Sequence, residues 1–188
     1  MSVVTWIVQR LLELGIRVTI LGPMMLLTVR GRRSGQPRTL PIDVHDVDGR
    51  RYLIASHGIG SWVQNLRAAG AGTLRLGRQR IDFTARELPA DEAGRINRTA
   101  FPRLIATDDW RGRGIRANLG VSKTSPAADY VVSARDHPVF EVCSLTAATR
   151  DVSSKNFAKS TVWVIILLAN GGRARNIRSG FAFTVRTC

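Results

Sequence analysis

Residues 40–57 read Leu40-Pro41-Ile42-Asp43-Val44-His45-Asp46-Val47-Asp48-Gly49-Arg50-Arg51-Tyr52-Leu53-Ile54-Ala55-Ser56-His57. Leu40, Ile42 and Val44 alternate with Pro41, Asp43 and His45, which is the period of a half-buried strand. Asp48-Gly49 is a hairpin signal, and residues 51–57 leave it as a second strand. Upstream, residues 24–29 form a buried apolar run. Downstream, Leu74 and Leu76, then Ile81, Phe83 and Ala85, mark two more strands across Gly77-Arg78. Segments 130–132 and 139–142 are expected to supply closing strands. Antiparallel strands at such close spacing predict a small barrel.

Helices frame this core. Thr5, Gln9, Glu13 and Arg17 form a polar stripe along residues 3–18, with Val4, Ile7, Val8, Leu11, Leu12 and Val18 on the other side. This helix is expected to pack on the protein's own barrel; lying on a membrane surface is the alternative. Gly22-Pro23 is expected to end it. Ser61 is predicted to cap a helix running to about residue 69, with Trp62, Leu66 and Ala69 on one face. Pro89 opens another, in which Ala93, Ile96 and Ala100 face inward and Pro102 is the stop. Residues 107–128 carry few large apolar side chains and read as a long loop. The resulting organisation is an N-terminal amphipathic helix (1–23), a barrel domain (24–142) and a basic tail (143–188). In the tail Asp151 is the only acid against seven basic residues.

Composition bounds the function. The chain has 188 residues, 44% of them hydrophobic, enough for a core. Its 28 basic residues against 14 acidic give +14, and only Lys123, Lys155 and Lys159 are lysines. Such a balance suits phosphate, nucleic acid or an anionic membrane equally. A nucleic-acid partner is disfavoured, because only 6% of residues are aromatic and the arginines are dispersed. Cys143, Cys188, His45, His57 and His137 make no metal-ligand spacing, so no metal is expected. No apolar run approaches the ~20 residues needed to span a bilayer. A cytoplasmic protein is the default reading, with peripheral membrane contact through the first helix as a minor one.

Two segments carry chemistry. Gly31-Arg32-Arg33-Ser34-Gly35-Gln36-Pro37-Arg38 places three guanidiniums, a hydroxyl and two glycines between two strands. The glycines allow a tight turn with exposed N–H groups, and arginine supplies paired donors for phosphate or carboxylate. The segment lacks the Gly-Lys-Ser/Thr ending of a Walker loop and precedes a strand. A solvated basic hairpin is the competing reading. The second segment, Ala55-Ser56-His57-Gly58-Ile59-Gly60-Ser61-Trp62 with Asn65-Leu66, runs from a strand through a turn into a helix start. Its free amides suit an anion or the polar edge of a planar ring, Trp62 can wall a site and Asn65 can donate. Here the competing reading is a core Trp62 and a surface Asn65. His57 has no supporting carboxylate, no nucleophile elbow is present, and Asp108-Asp109 read as turn caps. Without acid–base machinery, a cofactor is expected to carry the reaction.

At these residues the sequence resembles the deazaflavin (coenzyme F420)-dependent nitroreductase family of flavin-binding split β-barrel oxidoreductases. The likeness runs through Leu27-Thr28, residues 31–42, Tyr52-Leu53-Ile54-Ala55-Ser56 and Trp62-Val63-Gln64-Asn65-Leu66-Arg67-Ala68, and ends in His137-Pro138-Val139-Phe140. It implies an α+β, mainly β fold: a six-stranded antiparallel split β-barrel with an N-terminal helix and peripheral helices. It also implies coenzyme F420, a deazaflavin with a phosphate and an oligoglutamate tail, with FMN as the alternative cofactor.

Carried over, Gly31, Arg32, Arg33, Ser34 and Gly35, then Pro37, Arg38, Thr39, Leu40, Pro41 and Ile42, would hold the tail phosphate and flank the ring. Ile54, Ala55, Ser56 and His57 would meet the ring edge. Trp62, Val63, Gln64, Asn65 and Leu66 would complete the pocket. The implied activity is hydride transfer from reduced F420 to a small-molecule electron acceptor, an enone, quinone or nitro compound. A non-catalytic F420- or FMN-binding protein is the alternative, and a homodimer is an expectation by analogy. No catalytic residue is assigned. Residues 101–119, where some family members place tyrosines on the acceptor side, hold Trp110 and no tyrosine.

Overall fold

The computed structural model describes residues 3–19 and 22–144. Six strands close a barrel: β1 (Met24–Arg30), β2 (Pro37–Val47), β3 (Arg50–Ile54), β4 (Ala71–Leu76), β5 (Gln79–Glu87) and β6 (Val139–Ser144). They run in the order β1-β2-β3-β6-β5-β4, every pair antiparallel. The alternation read in residues 40–44 is the inward face of β2, where Ile42 and Val44 join Leu27, Leu53, Leu74, Phe83 and Phe140 inside the barrel. The expected hairpin is present, with Asp48 at φ 54° and Gly49 at φ 75°. The α+β barrel expected from the sequence is the fold.

Helices α1 (Val3–Glu13) and α2 (Ser61–Ala69) belong to the first half of the chain. Val63 and Leu66 of α2 are fully buried in the barrel interior. The second half supplies α3 (Ala90–Ala100), α4 (Pro102–Ala106), α5 (Trp110–Leu119) and α6 (Ala127–Ser133). These pack Ile96, Phe101, Ile105, Ile115, Leu119 and Tyr130 against the outer residues Val47, Tyr52, Ile54 and Val139. The described residues thus build three buried clusters: one inside the barrel, one between the barrel and helices α3–α6, and a small one under α1.

Several local expectations are corrected. Residues 107–128 are not one loop, because α5 occupies their middle. Asp109 caps it, its Oδ1 accepting from the Gly112 amide at 2.7 Å, and Gly120 at φ 64° ends it. Ile115 and Leu119, one turn apart, bury its inner face. Residues 130–132 form part of α6, not a strand; Tyr130 and Ala134 face the core at helical spacing. Pro102 opens α4 as well as following α3. Gly60, not Ser61, stands at the N-cap of α2, and no side chain caps it.

The first helix stops at Glu13, well before Gly22-Pro23. Gly15 at φ 82° turns the chain there. A Cβ on Gly77 would lie 2.8 Å from the Gly15 Cα, so the helix end and the β4–β5 turn touch through two glycines. Val8 and Leu12 bury against Leu26 and Val18. The helix therefore packs on the barrel as expected. Its polar stripe is not the solvent face, however: Thr5, Gln9 and Glu13 are half-buried, whereas Val3, Trp6 and Ile7 are exposed.

The tail expected to occupy 143–188 lies outside the described residues from 145 onward.

Candidate functional site

The β1–β2 connection is a self-closed turn. The Gly31 amide donates to the Gln36 carbonyl at 2.9 Å and the Gly35 amide to the Gly31 carbonyl at 2.8 Å. Gly35 holds φ 67°, a conformation that favours glycine. At Gly31 a Cβ would lie 3.0 Å from the Gln36 carbonyl and 3.1 Å from the Ser34 hydroxyl, so the turn has no room for a side chain there.

Around this frame stand Arg30, Arg32, Arg33 and Arg38, all exposed. Elsewhere on the surface several arginines meet carboxylates, as Arg67 meets Glu87, Arg80 meets Asp82, and Arg86 meets Glu92 and Glu141. Among the described residues none of the four turn arginines has a carboxylate partner. No Asp or Glu occurs between Glu13 and Asp43 in the sequence. Positive charge is concentrated and left unneutralised. Arg30 was not among the residues singled out from the sequence; its place directly before Gly31 was the available signal.

The second segment meets the first through Asn65. Its Oδ1 accepts from the Arg32 amide at 3.2 Å and from the Arg32 Nη1 at 3.1 Å. Asn65 is buried, so the surface reading does not hold, and its carbonyl oxygen ties turn to helix as an acceptor where the sequence predicts a donor. Trp62 is partly buried, its ring 5.9 Å from that of Phe140. It packs against the barrel interior, as the core reading has it. Val63 and Leu66 are interior residues with no exposed side chain, while Gln64 is half-buried. Thr39 is exposed and its hydroxyl lies 2.8 Å from that of Thr28. Leu40 and Pro41 are half-buried, and Ile42 is buried.

At residues 54–58 the peptide groups are unequally engaged. The Ala55 amide donates to the Pro138 carbonyl at 3.0 Å, and the Ala55 carbonyl accepts from Gly58 at 2.9 Å and from His137 Nδ1 at 3.0 Å. Among the described residues no backbone partner takes the Ser56 or His57 amide. The Ser56 and His57 amides, unlike that of Ala55, are therefore left available to a ligand. His57 Nδ1 lies 3.2 Å from the Ser56 hydroxyl, and no carboxylate joins them. The fold of the turn places them beside the start of α2, whose first amides have no capping side chain.

The donor set is thus four guanidiniums, turn amides and a helix start, with no carboxylate to compete. It fits a coenzyme carrying both phosphate and carboxylate groups. Among the described residues no group of His, Cys, Asp and Glu is arranged to hold a metal.

The model of the F420H2-dependent quinone reductase family matches residues 2–113. The chain belongs to this family. It is therefore an F420-dependent reductase, and its electron donor is the reduced deazaflavin F420H2. Among solved structures it is similar to one described as a domain-swapped dimer, at 26% identity over 73% of this chain and 96% of that one, with a TM-score of 0.42. It is also similar to an F420-H2 dependent reductase, at 25% identity over 63% of this chain and 92% of that one, with a TM-score of 0.36.

Proposed function

We propose that this reductase delivers reducing equivalents to a quinone, and that the β1–β2 turn holds the anionic end of its coenzyme. The observation that carries the binding half is the cluster of Arg30, Arg32, Arg33 and Arg38 without carboxylates, fixed to α2 through Asn65. Each charge-assisted hydrogen bond from these donors to phosphate or carboxylate contributes about 1.5–3 kcal/mol. When bound, the reduced deazaflavin supplies a hydride to an electron-poor acceptor.

The chain's own residues bind and orient. Arg30, Arg32, Arg33, Arg38 and the amides of Arg33 and Ser34 grip the tail, the Gly31, Arg32 and Gly35 amides being used to hold the turn itself; Pro37, Thr39 and Leu40 line the route toward the barrel rim. The Ser56 and His57 amides and the first turn of α2 receive the polar ring edge. Trp62 shields that side from water.

Anaerobic mixing of the protein, reduced F420 and a soluble naphthoquinone tests the reading. Stoichiometric oxidation of the coenzyme above the protein-free rate is expected. Tight binding without oxidation would make this a storage protein instead. Enone and nitroarene acceptors run in parallel define the acceptor class.

The first helix adds a site of action. Val3, Trp6 and Ile7 are exposed at 73, 49 and 41%, share one helix face with Arg10, and Leu14 beyond the helix end is 76% exposed. The Arg10 guanidinium lies 5.7 Å from the Trp6 ring centre. Apolar side chains, an interfacial tryptophan and arginine suit the surface of an anionic bilayer, where lipid-soluble quinones dissolve. No described helix is long and apolar enough to cross a membrane. Flotation with anionic vesicles is expected to carry the protein upward, and Trp6→Ser with Ile7→Ser to leave it at the bottom. Light scattering on the vesicle-free protein tests the homodimer expected by analogy.

A further inference from the structure

The turn at residues 55–58 is held from behind by the stretch that leads into β6. Three bonds converge on Ala55. Its amide donates to the Pro138 carbonyl, and its carbonyl receives both the Gly58 amide and the His137 Nδ1. Gly58 sits at φ 81°, and a Cβ there would lie 3.7 Å from the Asp136 carbonyl, so the backing segment follows the turn closely. His137 is itself held at both ends of its peptide. Its amide donates to the Ser133 carbonyl at 3.0 Å, and its carbonyl accepts from Asn97 Nδ2 at 3.3 Å. Asn97 is fully buried in α3.

We infer that His137 is a positioning residue of the reductase: its Nδ1–H bond to the Ala55 carbonyl, backed by Asn97, fixes the turn that presents the Ser56 and His57 amides. This rests on the proposed coenzyme reading for what those amides meet. The brace itself is a property of the chain. A carbonyl is only an acceptor, so Nδ1 must carry the proton. Both the neutral Nδ1–H tautomer and the imidazolium satisfy that requirement. Donation, not charge, is what the position needs. Asparagine attaches its Nδ2 donor to Cγ, as histidine attaches Nδ1, and can replace the bond without an ionisable group. Leucine removes the bond while retaining bulk.

The test has two readouts on His137→Leu, His137→Asn and Asn97→Ala. The first is amide hydrogen exchange in the coenzyme-free protein. His137→Leu is expected to speed exchange at residues 56–58 by tenfold or more, with β4 unchanged, and His137→Asn to stay within threefold of the parent. The second is the dissociation constant for F420, measured well below each variant's melting temperature. An increase of tenfold or more in His137→Leu, with the quinone KM unchanged and recovery in His137→Asn, supports the proposal. If His137→Leu does not fold, Asn97→Ala replaces it in both readouts, with weakening of threefold or more expected.

Parent-like exchange and affinity in the unbraced variant would overturn the proposal. So would His137→Asn being as impaired as His137→Leu, because bulk or charge and not donation would then matter. Failure of the parent protein to bind F420 would sink the coenzyme reading, while the exchange data would still decide the brace.

Discussion

Arg32 reaches Asn65 twice, once with its backbone amide at 3.2 Å and once with its guanidinium at 3.1 Å, and so fastens the β1–β2 turn to the second helix. Thirty-three residues separate the partners, so this contact exists only when the barrel is assembled. It fixes the backbone of the turn while leaving Arg33 and Arg38 exposed for a ligand.

Asn65→Leu removes the shared acceptor and leaves the Arg32 amide unpaired. The loss of an acceptor for two donors costs about 1–3 kcal/mol. Coenzyme affinity is expected to fall between fivefold and a hundredfold, with the thermal midpoint lowered by a few degrees. Isothermal titration and a melting curve check both, and unchanged affinity would show that the turn needs no tether.

Glu141 closes the barrel electrostatically. It is 1% exposed and receives Arg50 Nη1 at 2.9 Å and Arg86 Nη2 at 2.7 Å, linking β3, β5 and β6. Its cross-strand neighbours are Tyr52 and Arg86. Removing one side of a buried ion pair costs about 3–5 kcal/mol, but half-exposed arginines regain water, so about 2 kcal/mol is expected for Glu141→Leu. Denaturant unfolding of the variant measures it. The site should survive, since none of these residues touches the arginine turn.

His45 makes the fold sensitive to acid. Burial beside Phe101, whose ring centre is 4.7 Å away, pushes its imidazole down from 6.5 to about 4. Between those values the unfolded chain binds a proton that the folded chain does not, so stability falls as pH drops through 6.5 toward 4. A displacement of that size corresponds to about 3 kcal/mol in full. His45→Leu is expected to flatten the wild-type slope of unfolding free energy across this window. Parallel slopes in the two proteins would contradict it.

The legible parts of the sequence were those set by short-range chemistry. Alternation in residues 40–44, Asp48-Gly49, and Gly31 with Gly35 each impose a backbone shape locally, and the barrel follows from their spacing. Residues 107–128 misled because α5 carries only Ile115 and Leu119 as large buried side chains, and glycine and arginine fill most of the remaining positions. Its real signals were Asp109 three residues before Gly112, and Gly120 at the end. Residues 130–132 read as a strand because Tyr130-Val131-Val132 favours extended structure; packing of α6 on α3, with Gly94 giving the close approach to Val131, overrides that preference.

At the site, the arginine turn was readable because its donors are adjacent in the chain. The use of Asn65 as an acceptor for Arg32, and of His137 as a brace on Ala55, was not readable. Both pairs are brought together only by the closed barrel, across 33 and 82 residues. The first helix showed its amphipathicity but not which side meets water. Its buried face is chosen by Leu26 and Val18, not by its own polar stripe.

Titration of oxidised F420 into the parent protein and into Arg33→Ala/Arg38→Ala, followed by calorimetry, tests the coenzyme site most directly. Saturable binding by the parent, weakened at least a hundredfold in the double variant and progressively by added salt, is the expected result. Equal affinity in the two folded proteins would contradict it, because the coenzyme would then be held without the guanidiniums of the turn.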